Sequence, residues 1–223
     1  MDKHLNENPV VSMKNISKSF GDNKVLSNVN FDLHKSEVHA LLGENGAGKT
    51  TLMNILYGMF PPSDGTITIN GKTFTNMTPK MAIDAGIGMV HQHFMLIEPL
   101  TVTENIILGY EEDTGLFLDR KTAREKISKL SEEYGLMIDP DARVEDITVG
   151  QQQRVEILKA LYRGADILIF DEPTAVLTPQ EINEFIEIIN KLTKMDKSII
   201  IITHKPVSYT HPVSYTHLRA HET

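Results

Sequence analysis

The chain has 223 residues, with 22 Lys or Arg against 30 Asp or Glu, a formal net charge of −8, and no cysteine. The missing thiols exclude a disulfide scaffold, a thiolate metal site and a cysteine nucleophile, and the acidic balance argues against electrostatically driven nucleic-acid binding. At 40% apolar and 23% charged residues, the composition excludes a disordered chain, a collagen and a coiled coil, and the length suits one domain or two small ones.

Val10–Ile16 and Val25–Leu33 read as strands joined by a turn at Gly21–Asn23. Val38–Leu42 is a short apolar run, as expected of a strand buried on both faces of a parallel sheet. A glycine-rich loop follows, then a helix over Lys49–Gly58. Pro61–Gly65 is a turn, and Thr66–Asn70 alternates with period two and closes on Asn70-Gly71, a hairpin signal. Ile87–Val90 is a further buried strand.

From about Leu96 to Leu161 helical patterns replace strands, over Val102–Leu108, Lys121–Tyr134 and Gln151–Tyr162, as expected of a helical insertion. Strand character returns at Asp166–Phe170. Thr178, Pro179 and Glu181 then spell a capping box with proline at the first helical position. Ile182, Phe185, Ile186, Ile189 and Leu192 form the apolar stripe of that helix, and Ser198–Thr203 is the last buried strand. Strands alternating with helices predict an α/β fold with a largely parallel sheet. The most apolar runs, Asn105–Gly109 and Ser198–Thr203, fall far short of the roughly 20 residues of a membrane span. The polar start, Met1–Pro9, lacks the apolar core of a secretion signal. The expectation is a cytoplasmic protein that serves a membrane only through a partner.

Gly43, Glu44, Asn45, Gly46, Ala47, Gly48, Lys49 and Thr50 satisfy G-x-x-x-x-G-K-[ST] between a strand and a helix. Glycines let backbone N–H groups cradle phosphate oxygens, Lys49 faces the β- and γ-phosphates, and the Thr50 hydroxyl suits Mg²⁺. Asp166–Phe170 runs into Asp171 and Glu172. A carboxylate at the end of a parallel strand, Asp171, can hold the Mg²⁺ of a nucleotide. Glu172 can accept a proton from an attacking water. The two motifs supply the two halves of one Mg–nucleotide site.

With these motifs in order, residues 10–205 resemble the nucleotide-binding domain of an ATP-binding cassette (ABC) transporter. The resemblance implies a P-loop NTPase (RecA-like) core with a mainly parallel sheet, an N-terminal antiparallel β-subdomain and an inserted helical subdomain at about 96–161. It implies that Phe20 stacks on adenine, that loop 43–50 and Thr51 bind phosphate, and that Gln92 reaches Mg²⁺ or water. It also implies that His204 contacts the γ-phosphate. Ile147–Gln151 occupies the signature position, usually Leu-Ser-Gly-Gly-Gln, so Thr148, Gly150 and Gln151 are expected to meet ATP on a second domain. Metal contacts fall to Thr50, Gln92 and Asp171, and catalysis to Glu172, Gln92 and His204.

Three positions depart from the pattern: Thr148 for Ser, Val149 for the first signature Gly, and Thr178 for the Asp that usually follows the acidic strand. Residues 90–96, 160–164 and 172–178 resemble the first cassette of bacterial importers for nucleosides and simple sugars, with nucleosides the lean. That implies ATP and Mg²⁺, a second cassette in tandem or as a dimer, permease subunits and, indirectly, a solute-binding protein. A soluble ABC ATPase without a membrane partner, and a fragment that binds ATP without turnover, are the alternatives.

Outside these motifs the expectations are ordinary. His91 and His93 are surface or packing residues rather than a metal pair. Arg154 packs or pairs within the helical subdomain. Met77, Met81, Met89 and Met95 fill core, and Glu181, Glu184 and Glu187 form a solvated face. Val207–His211 is repeated as Val213–His217. One possible coding, GTC-TCT-TAT-ACA-CAT, translates to the repeat and its continuation CTC-CGA-GCC-CAC-GAG-AC to Leu218–Thr223, and that nucleotide sequence resembles a sequencing-library adapter read in frame. Residues 206–223 are therefore expected to be non-native, to pack poorly and to leave a bare sheet edge.

Overall fold

A computed structural model describes residues 8–92, 94–109, 120–204 and 213–218. His93 and parts of the tail lie outside them.

Four strands form an antiparallel sheet in the order β2-β1-β4-β5: β1 (Val11–Phe20), β2 (Asn23–Leu33), β4 (Asp64–Ile69) and β5 (Lys72–Phe74). The Gly21-Asp22 turn joins β1 to β2 with Phe20 opposite Asn23, and Asn70-Gly71 closes β4 on β5, as the turn residues predict. Five strands form a parallel sheet in the order β6-β7-β8-β3-β9: β3 (Val38–Leu42), β6 (Ile87–Val90), β7 (Ile167–Asp171), β8 (Ser198–Thr203) and β9 (Val213–His217). Its interior strands are apolar on both faces, as strands covered on both sides must be. Leu168, Ile169, Phe170 and Ile199–Ile202 are fully buried.

The helices are α1 (Lys49–Leu56), α2 (Pro79–Asp84), α3 (Val102–Ile107), α4 (Arg120–Tyr134), α5 (Val149–Tyr162) and α6 (Pro179–Lys194). The short α2, capped by Thr78, carries too little periodicity to read from sequence. One face of the parallel sheet packs on α1 and the antiparallel sheet, through Leu41, Leu52, Ile167 and Ile200. The other packs on α3 to α6, through Leu168, Phe170, Ile199 and Ile201. The alternating side chains of β7 and β8 thus divide between two cores, one on the side of α1 and the antiparallel sheet and one on the side of α3 to α6.

Several expectations are corrected. The sheet edge at β3 is not bare: β9 pairs along it in parallel, from Val38 opposite Val213 to Leu42 opposite His217. Ladder hydrogen bonds use only backbone groups, so a five-residue segment without an apolar pattern still fits an open edge. Buried His39 adds a side-chain tie, its Nε2 lying 2.7 Å from Thr216 Oγ1. Met77 and Met89 are core residues, but Met81 and Met95 are exposed. The buried stripe of α6 is Phe185, Ile188, Ile189 and Leu192, while Ile182 and Ile186 are only partly covered.

Candidate functional site

The loop between β3 and α1 turns on Gly46 and Gly48, both in the left-handed region at φ 85° and 88°. At Gly48 a Cβ would lie 2.6 Å from Leu26 Cδ2 and 3.2 Å from the Val25 carbonyl, so the loop closes on β2 only with glycine there. Gly48 is also the N-cap of α1 and contributes no side-chain hydrogen bond. Threonines cap α2, α3, α5 and α6. The first amides of α1 are thus left for an anion.

Lys49 is 6% exposed, and its ammonium donates to the carbonyls of Gly43 at 2.7 Å and Glu44 at 2.9 Å. The charge is held inside the loop rather than in solvent. Thr50 Oγ1 reaches Asp171 Oδ1 at 3.4 Å across the end of β7. Burial pushes the Asp171 carboxyl above the usual carboxylate range, and the neighbouring Glu172 charge adds to this against the pull of Thr50, His91 and Lys49.

Glu172 follows β7 with φ 48°, an uncommon conformation for a residue with a side chain. Its N–H donates to the Ile202 carbonyl at 3.0 Å, which anchors the turn to β8. Its Oε1 lies 2.9 Å from His204 Nδ1 beyond the end of that strand. The carboxylate is 13% exposed and the imidazole 37%. These groups open on one cleft of about 530 Å³, lined by Val25, Asn45, Gly46, Gly48, Lys49, Thr50, Thr51, Gln92, Asp171, Glu172 and His204.

A hydroxyl and a carboxylate converging at a strand end are hard oxygen donors of the kind Mg²⁺ takes alongside phosphate and water. The burial-raised Asp171 carboxyl is a group that a divalent cation would relieve. The residues present therefore fit a magnesium nucleotide. Among the described residues no cluster of three or more His, Asp or Glu could hold a metal alone, so phosphates would have to complete the coordination. His91 instead packs edge-on to Tyr57, with ring centroids 6.2 Å apart.

Three groups of expected site residues are not in the cleft lining: Gly43, Glu44 and Ala47 of the loop, Phe20, and the three residues of the signature position. Phe20 is 48% exposed at the end of β1, edge-on to Phe60 at 5.3 Å, with the Lys18 ammonium 5.1 Å from its ring centre. Thr148, Gly150 and Gln151 lie at the start of α5. Thr148 Oγ1 accepts from the Gln151 N–H, and Gln151 Oε1 accepts from the Thr148 N–H at 2.9 Å, a complete capping box.

The acidic face of α6 is not simply solvated. Glu181 accepts from the Gly150 N–H at 3.2 Å, and Glu184 pairs with Arg154. Arg154 therefore joins α5 to α6, and it also pairs inside the helical insertion as expected, donating to the Leu136 carbonyl at 3.4 Å. Sequence reading also passed over Gln153, which is buried and donates to the Pro173 carbonyl at 2.9 Å, directly after Glu172. Glu156, equally buried, accepts from the Met95 N–H at 2.9 Å. Gln153, Glu156 and Ala160 share one helical stripe, and polar residues on a buried stripe are the signal that could have found them.

The sequence pattern of the ABC transporter family matches residues 26–175. The chain is 61% identical over 196 residues to the nucleoside import ATP-binding protein NupA of Lactococcus lactis, covering 88% of this chain and 39% of that protein. It is 56% identical over 191 residues to the guanosine import ATP-binding protein NupO of Bacillus subtilis, covering 86% and 38%. The glucose import ATP-binding protein TsgD13 of Haloferax volcanii matches at 44% identity, covering 90% and 42%. The chain thus spans about two fifths of the length of these relatives. Among solved structures, the ADP conformation of an ATP-binding cassette of an ABC transporter superposes with a TM-score of 0.80 at 26% identity, over 90% of this chain and 83% of that one. With a family match over residues 26–175, two thirds of its length, the chain belongs to the ABC transporter family.

Proposed function

We propose that the chain is the ATP-binding and hydrolysing cassette of a bacterial importer for nucleosides. The observation that carries this reading is the convergence of Lys49, Thr50, Asp171, Glu172 and His204 on one cleft. Lys49 and the uncapped amides of α1 bind the phosphates. Thr50, Gln92 and Asp171 would hold Mg²⁺, which supplies charge neutralisation on the phosphate oxygens. Glu172 accepts the proton of the attacking water, and His204, bonded to it, orients the carboxylate and reaches the γ-phosphate. Phe20, exposed at the end of β1, offers its ring to adenine.

Thr148, Gly150 and Gln151 serve ATP held by a second cassette, in tandem or as a dimer. Their position outside this chain's own cleft supports that division. The partners are then permease subunits and, through them, a solute-binding protein. Among the described residues no helix is long and apolar enough to cross a membrane, so attachment to the cytoplasmic face through the permease fits. Nucleosides are preferred to sugars because the matches named for nucleoside and guanosine import stand at 61% and 56% identity, against 44% for the glucose importer.

Residues 206–223 are proposed to be foreign, on their repeat and its coding. Genomic sequence from an independent library that encodes them would refute this. For function, uptake of labelled guanosine and ribose is measured in cells lacking the gene and in cells with the full-length gene restored. Restored guanosine uptake supports the proposal. Restoration of ribose alone moves the solute to sugars, and restoration of neither removes the importer reading.

A further inference from the structure

The carboxylate of Glu181 touches the starts of two helices at once. Oε2 accepts from the Thr178 N–H and from the Thr178 hydroxyl, each at 2.9 Å. Oε1 accepts from the Gly150 N–H in the first turn of α5, at 3.2 Å. A Cβ on Gly150 would lie 2.6 Å from Oε1, so the contact in this form needs glycine. The hydrogen bonds from Thr178, its backbone N–H first, and from Gly150 hold the Glu181 carboxyl below the usual range, which keeps it charged at neutral pH.

The other polar groups of this turn are paired locally. Thr148 and Gln151 satisfy each other, with the Gln151 N–H on Thr148 Oγ1 at 3.3 Å. The Gly150 amide takes its partner from a different element, and that partner can leave without unmaking the capping box. A carboxylate at a helix N-terminus is a stable arrangement, and it places one anion where another could bind.

We propose that Glu181 is a positioning residue that keeps the Gly150 amide occupied until a nucleotide phosphate presented by a second cassette displaces it. This rests on the reading of Thr148, Gly150 and Gln151 as contacts to ATP bound elsewhere. The exchange also acts within the chain. α5 grips the segment after Glu172 at two points, through Gln153 on the Pro173 carbonyl and through Gly150 on Glu181. Displacing Glu181 releases the second grip and leaves the first, so arrival of the partner's phosphate loosens the segment between Glu172 and α6. The signature end of one cassette is thereby tied to the catalytic glutamate of the same cassette.

The test is steady-state hydrolysis against ATP concentration in the full-length protein assembled with its membrane subunits. Glu181→Gln keeps the size and the cap but removes the charge, and so competes less well for Gly150. The expected result is a half-saturating ATP concentration lowered about threefold. A role in folding alone would lower the melting temperature without this shift, so an unchanged or raised half-saturation overturns the proposal. Should Glu181→Gln fail to fold, Glu181→Asp, one methylene too short to bridge both helix starts, carries the same expectation. Gly150→Ala tests the underlying reading separately. Normal turnover there means that the signature does not meet nucleotide. Lost turnover there, beside an unmoved half-saturation in Glu181→Gln, removes only the displacement step.

Discussion

On the function proposed above, the phosphate-loop cleft and the start of α5 each meet a phosphate, and the two are built differently. In the cleft the charged groups are withdrawn: Lys49 and Asp171 are 6% and 7% exposed. The amides at α1 have no side-chain cap. At α5 the amides are capped, Thr148 and Val149 are exposed, and an internal carboxylate sits on Gly150. The cleft is a preorganised half-site that pays for its geometry in buried charge and backbone strain. The α5 end is in a closed resting arrangement, stable without a ligand. If the proposed displacement holds, one chain carries a permanent site and an exchangeable one, as two cassettes that meet and part would require.

That contrast is open to attack, most strongly at Glu172. Glu172→Gln in the full-length protein should lower steady-state hydrolysis by roughly 10²–10⁴-fold, with ATP binding retained, because the amide cannot accept the proton. Near-normal turnover would remove Glu172 from the reaction. Lys49→Ala should weaken ATP binding itself, by about 10- to 100-fold in an equilibrium titration, as expected for loss of a charged hydrogen-bond donor. Equal affinity in the variant would show that the loop lysine acts only during reaction.

A paired experiment sharpens the comparison at the other end. Thr101 and Thr148 form capping boxes of the same design at α3 and α5. Thr101→Ala and Thr148→Ala should each cost about 1 kcal/mol of stability, read as a fall in melting temperature of roughly 2–4 °C. Only Thr148→Ala should also raise the ATP concentration needed for turnover. If both or neither does so, the α5 end is an ordinary helix start.

The smallest effect is a gain. Burial raises the Asp171 carboxyl, so ionising it costs the nucleotide-free fold stability, a penalty absent in acid and present once the pH exceeds its raised value. Asp171→Asn should therefore melt slightly higher than the parent at pH 8 without nucleotide, and no higher at pH 4. The same variant should lose magnesium-dependent turnover. A lower melting temperature at pH 8 would mean that the Thr50 contact outweighs the burial.

Much of this was legible in the sequence, for identifiable reasons. β3, β6 and β8 match their expected bounds because each is a short apolar run stopped by polar or glycine residues. The start of α6 was legible because Thr178, Pro179 and Glu181 are local signals with local causes. The phosphate loop and the acidic strand were legible because their chemistry lies in consecutive residues. What escaped depends on meetings between distant segments. Gln153 on Pro173 and Gly150 on Glu181 join residues 20 and 31 positions apart. No spacing rule relates a helix start in one region to a carboxylate in another, so Glu181 read as solvated surface. β9 escaped for the opposite reason: an open sheet edge accepts backbone without asking for a side-chain pattern.

The left-handed conformation of Glu172 has a consequence for inheritance. Residues with a side chain at φ 48° carry strain of roughly 1–3 kcal/mol, while a glycine there adds only about 0.4–1 kcal/mol of unfolded-state entropy. Every glutamate codon is one base from a glycine codon. A more stable backbone therefore lies a single mutation away, and that mutation deletes the carboxylate. If Glu172 has the proposed catalytic role, a lineage no longer selected for hydrolysis is expected to lose it early, leaving a cassette that folds well and does no work.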